Sequence, residues 1–456
     1  MFEVFKKNKS LPALNKGEHT GKQTISIDAG STETRGVIVA TDDVDLSDLN
    51  HITEVDFCKL LAIPSGYAEI PEDLQLGRPN KNDTLADKLE YLIMKESGGD
   101  LGWTKKRLLK GSLMEASARP VSNVSSSILK VQQPQTYTNI VVAIANMLLA
   151  KSLTTGKRFS SVIPIDLTLA MPYEDMNSAK FIAEFKSKLA GSYRVIFCRI
   201  PTDKLNENGE VIDKEGNPIS VSGQKPKKVA YSVRFTLAED DILIVSEQKA
   251  VAEYYESSYE EDIVLDDSDM RTVTADVGGR STGMILSKRS GLDESLQATF
   301  KDGGSCLLED IKNAAVRVHK LASPPTQTQA LKALITGTMN YGGRQLDCLQ
   351  IVNDVKKGFA RILYENFITL LDSYSVPMTA VKRVVVSGRS FGSIVKDGNI
   401  VSPSVKSYFE QLIPDSNEIE VVDIGVDYPI PWGLMQCRIS KVDDEDFDLD
   451  DDFDLE

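Results

Sequence analysis

The sequence predicts an α/β protein of two related lobes, and three observations support this fold class. A strand–turn–strand unit that begins at an aspartate occurs twice, at Asp28 and again at Asp276. Buried strands alternate with helices over most of the chain, which is typical of α/β domains. The chain has 456 residues, enough for two to four compact units with cores of their own. The recurrence of one structural unit indicates an internal duplication.

The composition excludes several classes of function. The formal net charge of −15 argues against direct binding of nucleic acid or of an anionic membrane. The five cysteines are scattered and the N-terminus lacks the apolar core of a signal peptide, so a reducing, cytoplasmic location is expected. The three histidines have no metal-ligand spacing, which disfavours a zinc site. The longest apolar run, Ile140–Ala150, is short for a membrane span and predicts a buried helix.

The first lobe is expected at 22–246, after a flexible N-terminal arm at 1–21. Its predicted elements follow in chain order: strands Gln23–Asp28 and Gly36–Ala40, helix Tyr137–Leu153, strand Ile165–Met171, helix Asn177–Ala190, and strands Tyr193–Ile200, Ala230–Leu237 and Asp241–Val245. Residues 41–135 show no clean strand alternation. They are interpreted as an inserted helical subdomain, with helices over Thr84–Glu96 and Lys105–Ala118.

The second lobe is expected at 247–442, with a small subdomain at about 303–380. Its elements repeat the plan of the first lobe: a helix from Glu247, strands Arg271–Asp276 and Met284–Lys288, helix Cys306–Leu321 and strand Arg383–Ser387. An acidic tail follows at 443–456.

The first turn of interest lies between the first two strands. Gly30 is followed by two hydroxyl residues, Ser31 and Thr32, so that successive backbone N–H groups can point into one concavity and bind phosphate oxygens. Asp28 ends the strand where a carboxylate can hold Mg²⁺ directly or through water. The turn therefore predicts a phosphate and metal site.

The second turn offers the same groups from the other lobe. Asp276 is the candidate metal ligand, and the candidate phosphate-binding residues of the turn are Gly278, Gly279, Arg280 and Ser281. A glycine pair, Gly303 and Gly304, opens the next helix and is a further candidate for nucleotide contact. The phosphates are expected to lie between the two hairpins.

The third turn follows a buried strand and reads Ser387-Gly388, with Phe391 placed to pack on a sugar or base. Each turn alone is a common β-turn, but three in this order predict nucleotide binding. The sequence contains no G-x-x-x-x-G-K-[ST], and no G-x-G-x-x-G follows a strand, which excludes a P-loop or a dinucleotide fingerprint as the explanation.

Glu247 stands at the junction of a strand and a helix. A carboxylate there can orient the attacking water for in-line hydrolysis. The alternative is an acid that only stabilises the N-terminus of its helix.

These segments resemble the superfamily of actin, sugar kinases and heat-shock ATPases, with phosphate-one at 25–36, phosphate-two at 273–285 and adenosine at 383–393. The resemblance implies two actin-like (ribonuclease H-like) lobes with a nucleotide cleft between them, and ATP/ADP with Mg²⁺ as cofactors. It also implies that Glu247 positions water and that Asp28 and Asp276 form the metal site. Ser387-Gly388 stands where many relatives have Gly-Gly.

Within that superfamily the sequence looks most like the ParM/StbA-type bacterial actins, in its first turn, in Asp166–Pro172 and in Ser246-Glu247. This likeness implies ATP hydrolysis, filaments of the chain with itself, and an adaptor protein, with or without bound DNA, for plasmid or other DNA segregation or cytoskeletal positioning. The alternative is a heat-shock-chaperone-like ATPase module, non-filamentous and acting with a separate partner, since Ser246–Tyr254 resembles that class. A sugar kinase ranks third, because no catalytic base appears outside the metal site.

The tail at 443–456 carries ten acidic residues and no basic one, and is expected to be disordered because like charges repel and apolar residues are few. A phenylalanine–leucine pair occurs twice, at Phe447 and Leu449 and again at Phe453 and Leu455. The tail is interpreted either as a docking peptide or as a solubilising segment.

Overall fold

An antiparallel hairpin of strands β1 (Gln23–Ala29) and β2 (Glu33–Val39) begins the fold of the computed structural model. The structure describes residues 16–30, 33–39, 57–71, 89–111, 113–114, 117, 119–124, 128–159, 161–197, 217, 231–259, 270–288, 291–388, 392–414, 417–424 and 430–438. The chain divides into two compact units. Unit 1 comprises Met1–Met171, Asp175–Val245 and Leu434–Glu456, and unit 2 comprises Pro172–Glu174 and Ser246–Gly433.

Unit 1 is built on one large sheet. Its further strands are β3 (Phe57–Pro64), β4 (Ala68–Ile70), β5 (Glu90–Gly98), β6 (Lys105–Leu109), β7 (Val162–Met171), β8 (Gly191–Phe197) and β9 (Tyr231–Ser246). Among the described residues these strands make nine, in the order β3-β2-β1-β7-β9-β8-β5-β6-β4. The helices up to β8 are α1 (Pro134–Thr155), α2 (Tyr173–Met176) and α3 (Ala179–Leu189).

Helix α1 is the core helix of unit 1, as its apolar sequence predicts. Proline occupies its first turn, where the missing N–H costs nothing, and Gly156 ends it with φ 75°, a left-handed conformation that favours glycine. The helix packs on β1, β2 and β3. It is apolar and long enough to pass for a membrane span, but 83% of the window that qualifies is buried inside the structure. Its sequence is therefore accounted for by its place in the core.

The prediction of an inserted helical subdomain at 41–135 is wrong where the structure describes that region. The described part of Thr84–Glu96 is almost entirely strand β5, and Lys105–Ala118 begins with strand β6. Tyr91, Leu92 and Ile93 are all buried, because both faces of β5 are covered. A short apolar run of this kind fits a buried strand as well as a helix, which explains the error.

The prediction of a flexible arm at 1–21 is wrong for residues 16–21, while residues 1–15 lie outside the described part. The N–H of His19 donates to the carbonyl of Arg158 at 2.8 Å. The His19 ring stacks on Phe159 with centroids 4.7 Å apart, and its Nε2 lies 2.7 Å from Thr155 Oγ1. These contacts hold the segment against the end of α1.

Unit 2 contains a second sheet and most of the remaining helices. Its elements are α4 (Glu247–Tyr259), β10 (Arg271–Val277), β11 (Thr282–Lys288), β12 (Gly291–Phe300), α5 (Gly304–His319), α6 (Gln327–Thr336), β13 (Thr338–Tyr341), β14 (Arg344–Asp347), α7 (Leu349–Ser373), β15 (Val381–Ser387), β16 (Ile394–Lys396), β17 (Asn399–Ser402), α8 (Val405–Glu410) and β18 (Glu420–Asp423). The main sheet has the order β12-β11-β10-β15-β18, and α7 lies in its core with Phe359 and Phe367 buried.

A last described helix, α9, runs over residues 430–438, and its end belongs to unit 1. Residues 434–438 were expected in the second lobe, so that boundary is wrong. The reason is packing: Met435 Sδ accepts from Ser26 Oγ on β1, and Arg438 Nε donates to Asp166 Oδ2 on β7 at 2.9 Å.

The two sheets share one plan, which confirms the fold class of two related α/β lobes. In unit 1 the order β3-β2-β1-β7-β9 places an antiparallel hairpin beside a parallel strand. In unit 2 the order β12-β11-β10-β15-β18 repeats this arrangement, with β10 and β15 parallel. The duplication inferred from Asp28 and Asp276 is thus a duplication of sheet topology.

Candidate functional site

The first candidate turn lies at the carboxyl end of β1 in unit 1. Asp28 is buried, opposite Arg35 of β2 in the hairpin and opposite Ala170 of the parallel strand β7. The carboxyl ends of β1 and β7 meet at the same sheet edge, where open α/β sheets commonly bind ligands. Asp28 therefore lies at the sheet edge where the sequence predicts a metal-binding carboxylate.

Gly30 makes the turn possible. A Cβ on this residue would lie 2.4 Å from the carbonyl oxygen of Glu33, a distance that no side chain tolerates. The carbonyl of Gly30 accepts a hydrogen bond from the buried Ser65 Oγ at 2.6 Å, and Thr34 Oγ1 lies 3.2 Å from the same hydroxyl. The predicted phosphate-binding residues Ser31 and Thr32 lie outside the described residues.

The second candidate turn lies at the carboxyl end of β10 in unit 2. Asp276 is buried, opposite Gly283 in the hairpin and opposite Ser387 of the parallel strand β15. Asp28 has the same two kinds of neighbour, Arg35 across its hairpin and Ala170 on its parallel strand. The two aspartates thus hold the same position in two related sheets.

Helix α5 supports this second turn through its main chain. The N–H of Gly304 donates to the carbonyl of Gly278 at 2.9 Å, and the N–H of Ser305 donates to the carbonyl of Gly279 at 2.7 Å. Gly303 approaches so closely that a Cβ there would lie 2.5 Å from Ser281 N. The structure therefore brings Gly303 and Gly304 to the turn, and the amide of Gly304 is used to hold the turn in place.

Two side chains complete the second turn. The buried Thr282 Oγ1 donates to the carbonyl of Asp302 at 2.5 Å and ties the turn to the residue before the glycine pair. Arg280 is half-buried, and its Nη1 is buried with no hydrogen-bond partner among the described residues. Burial lowers the pKa of the Arg280 guanidinium. A buried guanidinium N–H group without a hydrogen-bond partner can donate to an anionic ligand.

The third candidate turn follows β15. Ser387 is buried at the end of the strand, and Gly388 has φ 141°, which favours glycine over any residue with a side chain. Ser387 sits beside Asp276, so this turn and the second one share an edge of the sheet of unit 2. Phe391 lies outside the described residues, and its predicted packing on a base stays a prediction.

Glu247 is the first residue of α4, as predicted, and is half-buried. Before it, Ser246 Oγ donates to Gln297 Oε1 at 2.8 Å and accepts from the N–H of Lys249 at 3.3 Å. The helix packs against β10 and β11, the strands of the second hairpin. Its start is therefore fixed to the sheet that carries Asp276.

The carboxylates present suit magnesium. Among the described residues no group of three His, Cys, Asp or Glu side chains could hold a metal, so a closed structural site is not formed there. Magnesium is commonly held by one or two carboxylates together with substrate phosphates and water. Asp28 in unit 1 and Asp276 in unit 2 are each a buried carboxylate at the end of a strand, and each by itself is a ligand of the kind that this mode of binding uses.

Sequence reasoning missed Ser65, Thr282 as a tether, and the main-chain role of Gly304. Ser65 is distant in sequence from Gly30, and no local pattern connects the two. The glycine pair was noticed, but its bonds to the turn depend on how α5 packs.

No model of a known protein family matches the chain, and no curated protein sequence matches it. Solved structures match over nearly the whole chain. A 15-stranded ParM filament from Clostridium botulinum matches with a TM-score of 0.60 and 13% identity, covering 92% of this chain and 99% of that one. An archaeal actin homologue matches with a TM-score of 0.55 and 12% identity, covering 91% and 98%. A Bacillus thuringiensis ParM with ATP matches with a TM-score of 0.54 and 12% identity, covering 93% and 100%.

These likenesses show the fold. The chain has an actin-like fold, close to that of ParM-type proteins.

Proposed function

We propose that this chain is a Mg²⁺-dependent ATPase of the bacterial actin type, which converts ATP and water to ADP and phosphate in the cytoplasm. The observation that carries the proposal is the repeated hairpin, with a buried aspartate at the same register in two related sheets. The actin-like fold supports the choice of nucleotide, because a neighbour of this fold was solved with ATP and another with ADP.

The chain's own residues have distinct parts in this scheme. The turn at Gly30 and the turn at Gly278–Ser281 supply main-chain N–H donors to the phosphates, and Ser31 and Thr32 belong to the first of these turns. Arg280 adds a cation whose buried Nη1 lacks a partner among the described residues. Phosphoryl transfer depends mostly on such positioning and charge neutralisation.

Asp28 and Asp276 would hold magnesium, which neutralises the charge that develops on the transferred phosphoryl group. Glu247 would orient the attacking water, because it begins a helix that is fixed to the second hairpin. Ser387, Gly388 and Phe391 would receive the adenosine. Gly303 and Gly304 would act on the nucleotide through the turn that they hold.

The first experiment measures ATP hydrolysis with and without Mg²⁺ in the wild type, Asp276→Asn and Glu247→Ala. Loss of the Asp276 charge should lower turnover by about 100-fold, in line with the loss of one electrostatic contact to the transition state. Glu247→Ala should slow hydrolysis while leaving ATP affinity unchanged. The matched control is Asp310→Asn, an exposed carboxylate on α5, which should hydrolyse ATP at the wild-type rate. Wild-type turnover in Glu247→Ala would remove that residue from the scheme.

We further propose that the chain assembles into nucleotide-dependent filaments that position plasmid or other DNA through an adaptor. A ParM of this fold forms a filament of 15 strands, which supports self-association as the mode of action. Head-to-tail contacts between unlike surfaces give open polymers. Pelleting with ATP or a slow analogue tests this, and a chain that stays monomeric well above micromolar concentration would favour the chaperone-like ATPase module instead.

The acidic tail at 443–456, outside the described residues, is proposed as a docking peptide for a partner with a basic rim around an apolar pocket. Deletion of 443–456 should leave ATP hydrolysis unchanged and remove a partner that the full-length chain captures.

A further inference from the structure

A lysine is buried in unit 1 close to the first turn. Lys110 follows β6, is 1% exposed, and its Nζ donates to the carbonyl of Pro64 at 2.8 Å, to the carbonyl of Ser65 at 3.3 Å and to Asn139 Oδ1 at 2.7 Å. The Tyr67 ring lies beneath it, with its centroid 5.7 Å from Nζ. All three acceptors are neutral oxygens. Lys110 therefore joins α1, which carries Asn139, to the bend at Pro64 and Ser65.

Burial makes this an unfavourable place for an amine. Removal from water lowers the pKa of Lys110 to about 7. A position that needs only volume is filled more favourably by leucine or methionine. The amino group is thus explained by the oxygens that it holds, and two of these oxygens belong to the segment that contacts the first turn.

Ser65 carries the connection onward. Its hydroxyl, fully buried, donates to the carbonyl of Gly30 at 2.6 Å. Gly30 directly follows β1, so fixing its carbonyl oxygen also fixes the ψ angle of Gly30. Gly30 is the residue at which the predicted phosphate-binding turn begins.

We propose that Lys110 and Ser65 are positioning residues that hold Gly30, where the first phosphate-binding turn begins, in place for nucleotide binding. Lys110 fixes the backbone at Ser65, and Ser65 fixes the carbonyl of Gly30. This inference rests on the proposed function, because it concerns how strongly the same site binds a nucleotide.

The experiment measures the dissociation constants of ATP and ADP for wild type, Ser65→Ala, Lys110→Met and the double variant. Loss of one hydrogen bond should weaken binding about tenfold in Ser65→Ala, and Lys110→Met should weaken it at least as much. The affinity of the double variant should lie within about twofold of that of the weaker-binding single variant, because both residues act through one connection. Circular dichroism at the measuring temperature confirms that each variant is folded.

Lys151→Met is the matched control. Lys151 is also buried in unit 1, on α1, but its Nζ donates to Gln23 Oε1 at 2.6 Å, at the opposite end of β1 from Gly30. This variant should lose stability and keep wild-type affinity for nucleotide. If Lys110→Met fails to fold, Ser65→Ala alone decides.

Three outcomes separate the possibilities. A wild-type chain that binds no nucleotide removes the proposed function. A wild type that binds, with a folded Ser65→Ala of equal affinity, overturns the positioning role while leaving the proposed function in place. Additive losses in the double variant overturn the single connection from Lys110 through Ser65.

Discussion

In unit 1 the turn after β1 is held by side chains, whereas in unit 2 the turn after β10 is held by the main chain of a helix. Ser65 and Lys110 support the carbonyl of Gly30. The N–H groups of Gly304 and Ser305 support the carbonyls of Gly278 and Gly279. The hairpins and their aspartates match in register, but the supports behind them do not.

The difference separates the part of the duplicated unit that both copies share from the part that differs between them. Both copies of the hairpin place a carboxylate and a glycine turn at the sheet edge, as the proposed function requires. The support needs only to fix one or two carbonyls, and unrelated groups can do this equally well. The side-chain support depends on the hydroxyl of Ser65 and the amino group of Lys110. The main-chain support depends on the absence of a Cβ at Gly303, which lets α5 approach the turn.

The largest expected effect on nucleotide affinity tests the main-chain support of unit 2. Gly303→Ala would place a Cβ 2.5 Å from Arg280 C and 2.5 Å from Ser281 N, so the turn or the helix must move. Overpacking of this kind costs about 1–3 kcal/mol, and the same cost in binding free energy makes nucleotide affinity about 5- to 160-fold weaker. Calorimetric titration with ATP measures it.

Gly358→Ala is its control, since a Cβ at that exposed position on α7 would meet nothing within 4 Å. Equal affinities in Gly303→Ala and Gly358→Ala would show that α5 does not set the shape of the turn.

The next effect concerns the side-chain support of unit 1. Lys110 in this support is a titratable group, whereas the amides of Gly304 and Ser305 in unit 2 are not. Burial lowers the pKa of Lys110 from 10.5 to about 7, so between these values the unfolded chain binds the proton more strongly than the folded chain. The contribution of Lys110 to stability should therefore rise with pH from about 7 towards 10.5 and stay constant below 7. The free energy of unfolding of wild type minus that of Lys110→Met should increase by several kcal/mol over this window.

Urea unfolding of unit 1 provides the measurement. The chain has two tryptophans, and Trp432→Phe leaves Trp103, which packs on the core of unit 1, as the reporter. Ser65→Ala in this background should keep the pH dependence, since it retains Lys110. A flat difference between wild type and Lys110→Met would mean that Lys110 keeps its ordinary pKa.

The smallest effect concerns the single side chain in the support of unit 2. Thr282→Val removes the bond from Oγ1 to the carbonyl of Asp302 and keeps the shape of the side chain, and should cost about 1 kcal/mol. Thr274→Val is a close control on β10, where the buried Oγ1 has no hydrogen-bond partner among the described residues. It should be neutral or stabilising. Unfolding followed by Trp432 in a Trp103→Phe background compares the two, and equal costs would contradict the tether.

The sequence was sufficient for the repeated parts of the fold. The strands at Asp28 and Asp276, helix α1 and the strand before Ser387 were predicted because each is an apolar run that ends close to a glycine. The strands β5 and β6 were mistaken for helices, because their apolar runs are short and their partner β8 lies far along the chain. Burial, rather than local pattern, decides their conformation.

The candidate site divides in the same way. Asp28, Asp276 and the glycines can be recognised in the sequence from local turn chemistry, and the structure places them at matching sheet edges. Ser65, Lys110 and the bond from Gly304 to Gly278 depend on tertiary packing. A serine after a proline and a lysine after a strand carry no sequence signal of such a role.

Helix α1 has a consequence for the synthesis of the protein. It is buried along most of its length, and β8, which also contacts it, comes later in the chain. A nascent chain that ends soon after Thr155 therefore carries an apolar helix whose cover is incomplete, and exposed apolar surface of this kind promotes aggregation. Ribosome-bound chains should bind chaperones most strongly after α1 emerges and lose them once β8 has been made.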